Sequence, residues 1–237
     1  MKAITLKTRR SFIKTISGAA GACLMIPASS GILPVLGKQE SKEPEISPVE
    51  DLMREHGILR RVLLIYEEVL RRLEGGRDTP PRVLADSAGI IRRFVENYHE
   101  KLEEEELFPR FEKAGKLADL VQVLRDQHQA GRRLTDVIRR SSTSAALAPE
   151  KARLDLAEAL RRFILMYRPH AAREDTVLFP AFRSLVPSRE YHELGEKFEE
   201  MEEKLFGEGA FEKTVEEVAA LEKTLAIHEL GAFTPKV

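Results

Sequence analysis

Four of the six histidines in the chain stand at matched positions of an internal repeat. His56 is followed by Arg60-Arg61 and His128 by Arg132-Arg133. His99 and His170 each precede a glutamate by four residues, Glu103 and Glu174. Each glutamate leads four residues later into Leu-Phe-Pro, at 107–109 and at 178–180. The offset between the two copies is 71 or 72 residues throughout. On an α-helix, positions four apart share one face, about 6 Å apart along the axis, so each His-x-x-x-Glu pair projects together. If the four segments pack side by side, four imidazoles and two carboxylates converge. That donor set suits iron, manganese or zinc. Two bridging carboxylates and a bridging hydroxide offset most of the charge of two divalent ions, so such a group is far less costly to bury than bare ions. His192 and His228 have no counterpart in the repeat and are expected to play no part in it.

The elements that must position these residues are helices. From Glu50 onward the apolar residues recur at three and four, as in Leu52, Leu59, Leu63, Tyr66 and Leu70, and no strand-like alternation is visible. The first helix ends at Gly75-Gly76. A second is expected from Pro80-Pro81 to about Lys113, with Gly115 as its stop. A third runs from Leu117 to about Arg140, and a fourth from Pro149-Glu150 to about Ser184. A fifth runs from Pro187-Ser188 to Phe206, and a sixth from Phe211 to about Glu229. Pro169 lies inside the fourth helix directly before His170 and cannot donate to Leu165, which predicts a kink or bulge that re-aims His170. Tyr98 and Tyr167 read as packing residues, with hydrogen bonding around the ligands as the alternative. The fold expected is all-α: an up-and-down four-helix bundle over 49–186 with a C-terminal helical extension over 187–237.

These motifs resemble those of the hemerythrin family, the hemerythrin-like HHE cation-binding domains, over about Pro48 to Leu185. The resemblance rests on Glu55-His56, His99-x-x-x-Glu103, Gln127-His128, His170-x-x-x-Glu174 and the two Leu-Phe-Pro segments. It implies a non-heme diiron centre in the bundle. Carried over, His56 and His99 would serve one iron, His128 and His170 the other, and Glu103 and Glu174 would bridge them. Oxygen-carrying members have a fifth histidine one turn after the third-helix ligand; here that position is Arg132. The remaining ligands leave one position open on each iron. Glu100, beside His99, could fill one, as an acidic residue does in iron-sensing hemerythrin-like domains. Its repeat mate is Ala171, so that ligation would be asymmetric. The last two helices look like the C-terminal extension of bacterial exported members.

The N-terminus has a different character. Residues 1–37 carry five basic residues and no acid, and Thr8-Arg9-Arg10-Ser11-Phe12-Ile13-Lys14 closely resembles a twin-arginine export motif. The apolar run from Thr15 to Ile26 is shorter than the ~20 residues of a membrane-crossing helix, and Pro27 follows it. Residues 1–37 are therefore read as an export signal and 38–48 as a linker. The expected location is the periplasm or another extracytoplasmic space, without a membrane span in the mature chain. The whole chain has a net charge of −1, and without those 37 residues 33 basic and 39 acidic residues remain. An acidic chain gives no reason to expect nucleic acid as a partner. The single cysteine, Cys23, lies in the signal and excludes both a disulfide framework and a cysteine-based zinc site.

Three functions fit these observations. The first is a diiron protein that binds or senses O2, NO or iron. The second is a diiron enzyme acting as a peroxidase, oxidase or ferroxidase, with peroxide or O2 as its small-molecule partner. The third is an interaction bundle with zinc or no metal. The missing fifth histidine weakens an oxygen-carrier role more than the sensor or enzyme roles, and no phosphate loop or nucleophilic triad competes with the metal motif.

Overall fold

The computed structural model describes residues 46–235, so the twin-arginine motif, Cys23 and residues 38–45 of the expected linker lie outside the described residues. Helix α1 spans Pro48–Glu74, with proline at its start and Ser47 as its cap; the Ser47 hydroxyl accepts from Glu50 N–H. Helix α2 covers 81–114 and ends at Gly115, whose φ of 62° is the left-handed turn that glycine adopts without strain. Helix α3 is Ala118–Arg140, α4 the short Ser144–Leu147, and α5 covers 150–185. Helices α6 (Ser188–Phe206) and α7 (Ala210–Thr224) follow, then a single 3-10 turn at Leu230–Phe233. Among the described residues there is no strand, and no helix is long and apolar enough to cross a membrane.

The long helices α1, α2, α3 and α5 pack in a ring, each against the next, which is the up-and-down arrangement. Their apolar faces meet in one core: Leu52, Ile58, Val62 and Tyr66 of α1, Phe94 and Phe111 of α2, Leu124 and Ile138 of α3, Phe163 and Phe182 of α5. Phe111 and Phe182 are repeat mates, and their rings meet at 6.0 Å. The extension covers the α1 and α2 side. Phe206 and Phe211 pack on Phe94, Arg61 forks onto Glu222 at 2.8 and 2.6 Å, and Arg72 donates to the Leu225 carbonyl.

Two details differ from expectation. The sixth helix stops at Thr224, five residues early, because Ala226 turns left-handed (φ 60°) and Ile227 N–H closes back onto Glu222. Residues 150–173 are one unbroken α-helix with Pro169 inside it, so no bulge forms at that residue. The carbonyl it leaves without a donor belongs to Leu165, on a face so open that its side chain is 73% exposed, where water can take over. The helices widen elsewhere. At Glu103–Leu107 and Glu174–Leu178 they become π-helical: Phe108 N–H reaches the Glu103 carbonyl and Phe179 N–H the Glu174 carbonyl, five residues back. Pro109 and Pro180 follow immediately. A proline crowds the carbonyl four residues before it, and a wide turn relieves that crowding. A third π segment, Ile91–His99, contains no proline and ends on His99 itself.

Candidate metal centre

The four repeat-matched histidines and both glutamates meet in the middle of the bundle, all buried, with Glu103 and Glu174 at 0% exposure. His56 comes from α1, His99 and Glu103 from α2, His128 from α3, His170 and Glu174 from α5. Possible ligand atoms of His56, His99 and Glu103 lie within 4.8 Å of one another, as do those of His128, His170 and Glu174. Each glutamate also reaches across the two groups. Glu103 stands 3.7 Å from His99 Nε2 through Oε1 and 3.4 Å from His128 Nε2 through Oε2. Glu174 Oε2 stands 3.2 Å from His56 Nε2 and 3.1 Å from His170 Nε2.

Every histidine is held by its other nitrogen. His56 Nδ1 lies 2.7 Å from Asp175, His99 Nδ1 2.7 Å from Glu55, His128 Nδ1 3.0 Å from Glu104, and His170 Nδ1 2.8 Å from Gln127 Oε1. An Nδ1–H donating outward leaves the Nε2 lone pair aimed at the centre, the tautomer a metal requires. The outer groups follow the repeat. Glu104 and Asp175 each come one residue after a central glutamate, and Glu55 and Gln127 each come one residue before a central histidine. Arg60 and Arg132, each four residues after a histidine, bind Asp175 and Glu104. Phe179 stacks on His56 and Phe108 on His128, both with centroids 5.5 Å apart. The structure gathers the six residues that the repeat singled out; of the outer set the sequence reading named Glu55, Gln127, Arg60 and Arg132 as parts of motifs without a role, and passed over Glu104 and Asp175. The same offset marks the outer set, but its members match in role more than in identity: Glu for Asp, Glu for Gln.

The electrostatics of the centre match its donor types. Burial pushes the Glu103 carboxyl well up, and the neighbouring Glu174 and Glu100 push it further. Burial works the same way on Glu174, yet His170 and His56 overcome it and hold that carboxyl well below its usual range. Two carboxylates this deep do not both ionise without added positive charge. Burial drives His99 well down, helped by the repulsion of His56. For His56 burial is outweighed by Asp175 and Glu174, and for His128 by Glu100 and Glu104, so both are raised. All four carboxylate oxygens of Glu103 and Glu174 lack a hydrogen-bond partner although buried. Buried carboxylate oxygens without a hydrogen-bond partner that face a ring of imidazole nitrogens fit a cation.

Glu100 is also buried, at 1% exposure, near this centre. A carboxylate oxygen of Glu100 lies within 4.8 Å of ligand atoms of His128 and Glu104. Tyr167, read from the sequence as a packing residue, instead donates its hydroxyl to Glu100 Oε1 at 2.7 Å, and Arg132 stands 3.0 Å from Oε2. Tyr98 donates at 3.4 Å to the Phe198 carbonyl of the extension. His192 and His228 lie on the surface, outside the cluster.

The hemerythrin HHE cation binding domain family matches residues 47–182 and again 119–230, the second match running from α3 through the extension. An uncharacterized protein of Mycobacterium bovis and another of Mycobacterium tuberculosis are each 46% identical over 232 residues, covering 95% of this chain and 91% of theirs. No solved structure matches the chain. With four matched histidines and two matched glutamates gathered in one helical core, the chain belongs to the hemerythrin HHE cation-binding domain family.

Proposed function

We propose that the chain holds a diiron centre and uses it to bind or sense O2, NO or iron outside the cytoplasm. The observation that carries this reading is the orientation of the histidines: all four are tied by Nδ1 and turn Nε2 toward two buried glutamates without hydrogen bonds. His56 and His99 would hold one metal, His128 and His170 the other, and Glu103 and Glu174 would span both. Iron would supply reversible redox chemistry and an electrophilic position for a small ligand. The chain's own residues do the rest. Asp175, Glu55, Glu104 and Gln127 fix the rings. Phe108 and Phe179 wall His128 and His56, and the helices exclude bulk water.

The His128 side carries an extra buried carboxylate, Glu100, and this favours a second reading, a diiron oxidoreductase acting on peroxide or O2. An optical spectrum of the iron-loaded protein before and after O2 or peroxide separates the two. A band that reverses on removing O2 supports binding, and steady consumption of peroxide or O2 supports an enzyme. Export by the twin-arginine route belongs to the same proposal. Replacing Arg9 and Arg10 together by Lys should trap the protein in the cytoplasmic fraction, and unchanged fractionation would count against it.

A further inference from the structure

The centre is built as a two-fold repeat, and three of its departures from that symmetry gather at one spot. Glu100 is matched in the repeat by Ala171, Tyr167 by Glu96, and Gly131 by Leu59. The three departures meet at Tyr167. Tyr167 donates to Glu100 Oε1 at 2.7 Å. Gly131 makes room for that phenol: a Cβ there would lie 1.9 Å from the Tyr167 hydroxyl and 2.7 Å from the ring carbon bearing it. Arg132 joins the group. Its repeat mate Arg60 binds the outer carboxylate Asp175, and Arg132 binds the equivalent Glu104 at 2.9 Å but also Glu100 Oε2 at 3.0 Å. The buried carboxylate is thus hydrogen-bonded at Oε1 and faces the Arg132 charge at Oε2, which accepts no hydrogen bond and stays free for a further partner. It sits beside His128, on the side where the chain has Arg132 in place of a fifth histidine.

We propose that Tyr167, seated against Gly131, and Arg132 form a latch that holds the Glu100 carboxylate at the open coordination position of the metal on the His128–His170 side, so that small ligands enter on the other side. The inference rests on the diiron reading. Tyr167 and Gly131 act through Glu100 as positioning residues, and Glu100 alone touches the metal. Without the phenol, Glu100 keeps only Arg132 and becomes displaceable.

Azide is the probe, added to the full chain loaded with oxidised iron, with metal content measured in the same sample. The wild type should bind a single azide per chain. Glu100→Gln should admit a second, and Tyr167→Phe should raise the affinity of that second azide by about tenfold or more. The double variant should behave like Glu100→Gln alone, because the phenol works through the carboxylate. Iron-loaded wild type and Glu100→Gln with identical azide binding would overturn the latch. A Tyr167→Phe effect that persists in full without Glu100 would also overturn it. Wild-type chain that holds no iron would refute the diiron centre itself, a failure visible in the metal content before any azide is added.

Discussion

Glu55 Oε2 lies 2.7 Å from Nδ1 of His99, across the α1–α2 interface, although Glu55 is the chain neighbour of another candidate ligand, His56. One dipeptide therefore supplies a ligand to the centre and the orienting group for the ligand opposite. Gln127-His128 repeats the arrangement, with Gln127 on His170 at 2.8 Å. The two copies differ in kind, a carboxyl against an amide, and burial, then Asp51 and Glu202, push the Glu55 carboxyl well up, so it ionises there only when positive charge is added nearby. Glu55→Ala should lower metal affinity by about 10–100-fold. Gln127→Ala should cost less, and Glu55→Gln should recover most of the loss in orientation. Competition against a chelator measures all three; equal affinity for wild type and Glu55→Ala would refute the orienting role.

Gly131 should not tolerate a side chain, although a glycine inside a helix ordinarily costs stability relative to alanine. Gly131→Ala gains up to about 1 kcal/mol in helix propensity but drives a methyl into the Tyr167 phenol. The net expected effect is destabilisation by about 1–3 kcal/mol. Gly57, also mid-helix, has nothing within 4 Å of such a methyl, so Gly57→Ala should stabilise by about 0.5–1 kcal/mol. Urea unfolding of the two variants should move in opposite directions.

Phe179 stacks on His56 at an interplanar angle of 19° and is fully buried. Phe179→Ala should cost about 3–5 kcal/mol through the cavity it leaves. It should also loosen the His56 ring, so metal should leave faster than from wild type in stopped-flow chelation. An unchanged release rate in the folded variant would assign the ring to packing alone.

The C-terminal extension should add a pH-dependent contribution through Glu202. Burial, and then Asp51, push its carboxyl from the usual 4.5 to about 7, while Phe211 N–H donates to it at 2.8 Å. The folded chain therefore keeps this proton where the unfolded chain has released it. The contribution to stability is whole below pH 4.5 and falls as the pH rises toward 7. Glu202→Gln, which keeps an acceptor for Phe211 N–H, should be more stable than wild type at alkaline pH, by on the order of 1–3 kcal/mol. The difference should vanish in acid. Denaturant titrations at both pH values, at equal metal content, test this. A gap independent of pH would mean that the carboxylate charge is not the cause.

The inner centre was legible in the sequence because helix geometry converts a spacing of four into a shared face, and the repeat ties four such faces together. The outer residues Glu55, Gln127, Glu104 and Asp175 obey the same offset, but Asp serves where Glu does and Gln where Glu does, so identity alone gives Glu55 and Gln127 no role and passes over Glu104 and Asp175. The π turns were not legible. Pro169 drew the eye, yet the helix passes it, and the turns that widen stand ahead of Pro109 and Pro180. Ala226 ends α7 without the glycine that usually announces such a turn. The Gly131–Tyr167 contact joins α3 to α5 and depends on how closely two backbones approach, which no periodicity within either helix encodes.

The most direct test of the account is the number of metal ions held by the wild-type chain and by the variant with Glu103→Ala and Glu174→Ala together, both loaded anaerobically with ferrous iron. The account predicts about two irons per wild-type chain and loss of two-metal occupancy in the folded variant, because only those carboxylates span both histidine pairs. A wild-type chain that takes up no iron, or a variant that still holds two, would contradict it.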